Sequence, residues 1–226
     1  MAENLFNKLN PSELKREINE RVEKETRSLP HNAKVFAAIA AIQGFDSYPD
    51  LVPPADLNGL IEAGRTELFR GVVGLKGVSV RVFAEDLLRG TMYPGTQSAI
   101  GTGIHFAIPS MKDPENSDFP HMSQIAVEYA TGQFGGAITR AAIDPQRAKD
   151  CRELLQINRD YKASARKAGI MDVGALAAAY GVEAFFAERH YDHVPEDIWV
   201  VLNRGALTFQ NSVLLTKPIA TEPKSS

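Results

Sequence analysis

The sequence predicts an α+β fold: two small packed β-sheets with flanking helices, preceded by an N-terminal helical appendage. Three observations lead to it. Helical periods and short apolar runs interleave irregularly, unlike the strict strand–helix alternation of a parallel α/β sheet. Two strand candidates follow one another near the end, separated only by the turn Asn203-Arg204-Gly205. The glycines of Gly101-Thr102-Gly103 run into a strand, whereas a doubly wound fold places its glycine fingerprint between a strand and a helix.

The chain has 226 residues, room for one domain of about 150 to 190 residues plus an appendage. The boundaries read from the sequence are 1–30 for the appendage, 31–216 for the domain and 217–226 for a disordered tail. A hydrophobic fraction of 44% and a charged fraction of 23% are ordinary for a globular protein. The net charge of −3 supplies no field for gripping a nucleic-acid backbone. No run approaches the roughly 18 to 20 apolar residues of a spanning helix, and Met1-Ala2-Glu3-Asn4 lacks the basic and apolar regions of a secretory signal. The expectation is a cytoplasmic protein with no membrane partner. The single Cys151 cannot close an internal disulfide, which suits a reducing compartment.

Residues 11–28 read as a helix with Pro11 in its first turn and a thin apolar stripe of Leu14, Ile18 and Val22. A face so narrow suits leaning on a partner better than building a core, so this helix is expected to dock. Residues 33–43 are alanine-rich and close at Gly44, as a buried helix would. A short helix fits Asp56–Gly64, a central strand Thr66–Val73 and an amphipathic helix 78–89. Further strands are expected over Gly103–Ile108, Gly135–Ile143, Val182–Phe186, Asp197–Asn203 and Ala206–Leu215. Helices are expected near Ser123–Ala130, over 145–167 and over Asp172–Tyr180.

The candidate chemistry begins at Leu68-Phe69-Arg70-Gly71-Val72. A strand presenting one arginine, followed by Gly101-Thr102-Gly103-Ile104-His105-Phe106-Ala107, suits a pyrophosphate beside a flat ring. The guanidinium is a planar five-donor fork, and glycine lets backbone amides approach a ligand. Two more segments complete the pattern, Ala126-Val127-Glu128-Tyr129-Ala130 and Trp199-Val200-Val201-Leu202-Asn203-Arg204-Gly205-Ala206-Leu207. By these four segments, over about residues 45 to 212, the chain resembles ADP-ribosyltransferases. It looks most like the single-domain versions that bacteriophages encode beside or within head and portal-associated proteins.

The resemblance implies the transferase-like two-sheet fold, NAD as substrate and no metal. It implies that Arg70 holds the nicotinamide-side ribose and phosphate, and that Gly71 offers backbone groups to the carboxamide. Gly101, Gly103, His105 and Tyr129 complete the implied NAD site, with His105 where a tyrosine usually stands. A late-strand carboxylate would stabilise the oxocarbenium-like centre as nicotinamide departs. Glu196 is first choice for its reach; Asp197 is the alternative, with Glu183 and Gln210 in reserve. The implied activity is mono-ADP-ribosylation of a protein acceptor, a host protein among the candidates. The alternative is a virion, head-associated structural protein that keeps the fold with little or no catalysis and attaches to head or portal proteins through residues 11–28.

Other constellations carry less. His190 and His193, with Asp192 between them, lack a third firm ligand and a helix to fix them as a metal site. Lys162, Arg166 and Lys167 form a basic edge on a mixed-charge helix and read as a solvated face.

Overall fold

The computed structural model describes residues 4–24, 30–82, 88, 101–113, 115–187 and 197–219. Its helices in chain order are α1 (Leu5–Lys8), α2 (Pro11–Lys24), α3 (His31–Gln43), α4 (Pro54–Glu62), α5 (Gln124–Tyr129), α6 (Cys151–Ala168) and α7 (Val173–Ala179). Its strands are β1 (Asp50–Val52), β2 (Thr66–Val73), β3 (Ile104–Ala107), β4 (Met111–Lys112), β5 (His121–Met122), β6 (Gly136–Ile143), β7 (Ala148–Asp150), β8 (Ala184–Ala187), β9 (Ile198–Val201), β10 (Leu207–Gln210) and β11 (Leu214–Thr216). The fold is mixed α and β, with a mixed multistranded sheet and a separate two-stranded ribbon in place of the expected two small packed sheets. The chain divides into two compact units, each assembled from three separate stretches, so the expected division at residues 30 and 216 does not describe it.

The first unit comprises Met1–Tyr48, Tyr93–His105 and Pro145–Ala206. Its core joins Leu14 and Ile18 of α2, Phe36 and Ile39 of α3, Leu154 and Ala165 of α6, and Leu176 of α7. The stripe expected to dock on a partner is therefore inside: Leu14 is 0% exposed and Ile18 3%. α2 is no projecting appendage. Spacing of four puts its apolar residues on one line, and α3 and α6 between them cover that line. Small residues bring α3 and α7 close enough for Gln43 Nε2 to donate to Ala178 O at 3.0 Å. Gly44, at φ 79°, ends α3 in the left-handed conformation that glycine adopts at least cost.

The helix expected over 145–167 begins later, at Cys151. Pro145–Arg147 make a single tight turn, Ala148–Asp150 extend as β7 parallel to β8, and the Asp150 side chain accepts from Arg152 N at 2.8 Å. A cap that satisfies a free N–H fixes where a helix starts better than composition does. β8 pairs antiparallel with β9, and there Phe186 stacks on Trp199 at 5.3 Å between ring centroids.

The second unit comprises Pro49–Met92, Phe106–Asp144 and Leu207–Ser226. Its strands run β1–β10–β6–β2–β3, with β11 also on β6. β6 is buried at every position and pairs with β2 from Thr66↔Ile143 to Val73↔Gly136. Successive side chains leave a strand on opposite faces. Glu67, Phe69, Gly71 and Val73 therefore share one face of β2, while Leu68, Arg70 and Val72 share the other. α5 covers the first face, where Ala126 and Ala130 pack on Phe69 and Ile138.

The turn Asn203-Arg204-Gly205 does not join a hairpin. Arg204–Ala206 form a short 3-10 turn, after which β10 pairs with β6 and β1 while β9 pairs with β8. The strand expected over Ala206–Leu215 divides into β10 and β11. Residues 83–87 and 89 of the helix expected over 78–89 lie outside the described residues, as do residues 220–226 of the expected tail.

Candidate functional site

Arg70 is the residue whose surroundings most call for a ligand. It leaves β2 on the face that carries Leu68, and the register placing Phe69 opposite Ala107 puts Phe106 on that face too. Leu68, Phe106 and Phe209 are all buried, and the two phenylalanine rings lie 6.1 Å apart. On so apolar a face, burial lowers the Arg70 pKa from its ordinary value to about 10. Its Nη1 is shut off from solvent and has no hydrogen-bond partner among the described residues. Arg70 as a whole is half-buried, and buried polar atoms are normally paired, so the sealed Nη1 is an exception within this unit.

Arg140 shows the paired case in the same unit. Its side chain is 1% exposed. Nε donates to Glu67 Oε1 at 2.5 Å, and Nη1 donates to Asn58 Oδ1 at 2.7 Å, Gln210 Oε1 at 3.1 Å and Asp118 O at 3.2 Å. The second Glu67 oxygen lies 2.9 Å from His121 Nδ1. The sequence reading did not single out Glu67, Arg140 or His121. A signal was available: one arginine in the otherwise uncharged strand Gly136–Ile143, and one glutamate inside Thr66–Val73.

The glycines of the motifs are used by the protein itself. A Cβ on Gly71 would stand 1.8 Å from Ala126 O, so this glycine exists to let α5 lie on β2. At Gly101, with φ +92°, a Cβ would stand 2.7 Å from Gly174 N; at Gly103 it would stand 2.3 Å from a Val200 methyl. Thr102 N donates to Asp172 Oδ1 at 2.9 Å, and that same carboxylate caps α7 by accepting from Ala175 N at 3.1 Å. The glycine-opened turn is thus clasped to the start of α7. Close approach is what glycine provides, but here the approaching group is backbone of the same chain.

The remaining candidates fall in both units. His105 is half-buried in β3 and belongs to the first unit with Gly101 and Gly103, whereas Arg70, Gly71 and Tyr129 belong to the second. Tyr129 is 69% exposed on α5, the helix that covers the face of β2 opposite Arg70, so the structure does not set the two side by side. Glu196 lies outside the described residues; Asp197 is half-buried just before β9. Glu183 Oε1 accepts from Asn203 Nδ2 at 2.7 Å and stands 3.4 Å from Arg147 Nη1. Gln210 is fully buried and committed to Arg140 and to Ser212 Oγ.

Among the described residues no group of three or more His, Cys, Asp or Glu could hold a metal ion; His190 and His193 lie outside them. Among the same residues no helix is long and apolar enough to cross a membrane. No family model, curated protein or solved structure matches the chain.

Proposed function

We propose that the chain binds NAD through Arg70 and acts as a mono-ADP-ribosyltransferase. The observation that carries this reading is the half-buried Arg70 with its Nη1 sealed from solvent and unbonded among the described residues. A desolvated cation without a partner is costly, and a pyrophosphate would satisfy it with paired, charge-assisted hydrogen bonds about twice as strong as neutral ones. The anion is argued from the geometry; that it is NAD is argued from the four motifs. In the reaction the bond between the nicotinamide nitrogen and ribose C1′ breaks, and its electron pair stays with nicotinamide, which leaves neutral. The acceptor nucleophile then bonds to C1′ and gives its proton to solvent.

Calorimetric titration with NAD tests the binding, and labelled NAD with a cell lysate tests the transfer. Wild type is expected to bind and to label, Arg70→Ala to do neither, and Glu196→Gln to bind with reduced labelling. Equal labelling by all three would remove the assignment.

A second reading is favoured by the packing duties of Gly71, Gly101 and Gly103: a head-associated structural protein that keeps the fold without turnover. On this reading NAD at about 1 mM, the weak end of specific affinity, gives no heat although the protein unfolds cooperatively. α2 does not serve as its attachment, because the stripe that was to dock is buried.

A further inference from the structure

We infer that the corner between α6 and α7, in the first unit, is a docking site for an acidic peptide segment carrying one apolar anchor residue. A pocket of about 160 Å³ opens there, with Ala165, Ile170 and Leu176 in its wall. All three belong to the buried core, so the floor is apolar. Lys162 and Arg166 stand on its rim, both exposed. Neither side chain makes a hydrogen bond or an ion pair among the described residues. Lys15 of α2 reaches the same corner, its Cε 4.0 Å from where a Cβ on Gly169 would stand. Three cations without a carboxylate partner among the described residues, on a chain of net charge −3, make this corner complementary to an acidic ligand.

Shape and exposure favour a peptide over a bare anion. Met171 on the lip is 76% exposed, the highest value among the large apolar side chains of the described residues. Leu155, 40% exposed, lies on the α6 line that continues through Asn158 and Lys162 to Arg166 at spacings of three and four. An exposed methionine beside an apolar floor suits an aliphatic or aromatic side chain, and the charged line beyond it suits flanking acids. Asp172 is the one acid in the lining, and its oxygens accept backbone N–H groups of Thr102 and Ala175, which offsets its repulsion.

Fluorescence anisotropy of a labelled oligoglutamate with one central phenylalanine, added to the full chain, tests the inference. The peptide is expected to saturate the protein. Affinity should fall about tenfold or more on Lys162→Glu with Arg166→Glu, by the same order when the peptide phenylalanine becomes alanine, and severalfold on Met171→Ala. These positions are exposed, and unchanged melting temperatures would confirm that the variants fold. Absence of saturable binding would overturn the inference. So would binding indifferent to both the peptide phenylalanine and Met171, or tighter binding of a single-stranded oligonucleotide of equal charge.

Discussion

Arg140 and Glu67 meet at 2.5 Å between Nε and Oε1, with side chains 1% and 4% exposed, on the face of the second unit's sheet that α5 covers. Phe69 lies between them in register: it faces Arg140 directly across the ladder, and Glu67 stands two residues before it. Two charges are thus held inside a sheet by each other and by Asn58, Gln210, His121 and the Asp118 carbonyl.

Removing one partner of this pair leaves the other buried and unpaired. Glu67→Leu is expected to lower stability by about 3–5 kcal/mol, read by urea unfolding. Adding Arg140→Met should recover much of that loss, because a buried ion pair replaced by apolar residues is often near neutral. A double variant as unstable as the sum of its singles would show that the two side chains are not coupled.

Arg70 is the reverse case, and its substitution should stabilise. The folded guanidinium has its pKa lowered to about 10, below its unfolded value, so between the two the unfolded chain holds more protons than the folded one. The burial penalty is therefore fully present below about pH 10 and is relieved as pH rises beyond it. Arg70→Met, which keeps the bulk without the charge, should raise the melting temperature at neutral pH by about 3–8 °C. The same variant should lose the further rise that pyrophosphate or NAD gives the wild type. A melting temperature lowered by Arg70→Met would mean that the guanidinium is already satisfied.

Gly71 and Gly59 should respond in opposite directions to alanine. A Cβ at Gly71 would stand 1.8 Å from Ala126 O, so Gly71→Ala must push α5 off β2, at a cost of about 2–4 kcal/mol. Gly59, inside α4, has nothing within 4 Å of its added Cβ. Gly59→Ala should therefore gain about 0.5–1 kcal/mol from helix propensity alone. Thermal melts of the two variants check both signs.

Asp172 serves two segments at once, capping α7 through Ala175 N and holding Thr102 N. Asp172→Ala should cost about 1–3 kcal/mol by leaving both donors unmet. Asp172→Asn keeps one acceptor oxygen and should cost less. Hydrogen exchange at Thr102 reads the loss locally: faster exchange is expected in the alanine variant than in the asparagine one.

Much of the local structure was legible in the amino-acid order. Alternation and apolar runs placed β2 over Thr66–Val73 and β6 within a residue of its start, and Gly44 marked the end of α3. These follow from short-range physics: side-chain period, capping and backbone freedom act over a few residues. The glycine-rich turn at 101–103 was also legible as a place of close approach. What approaches was not, because Gly174 lies some seventy positions further along the chain.

The order of residues by itself determined which segments coil and which extend, and that Arg70 sits in a strand. Tertiary structure alone decided the partners: that the stripe of α2 is sealed by α3 and α6, that β9 and β10 pair with other strands and not with each other, and that Arg140 is neutralised while Arg70 Nη1 has no partner among the described residues. The physical reason is that burial and charge pairing depend on which surfaces meet, and residues distant in sequence supply those surfaces.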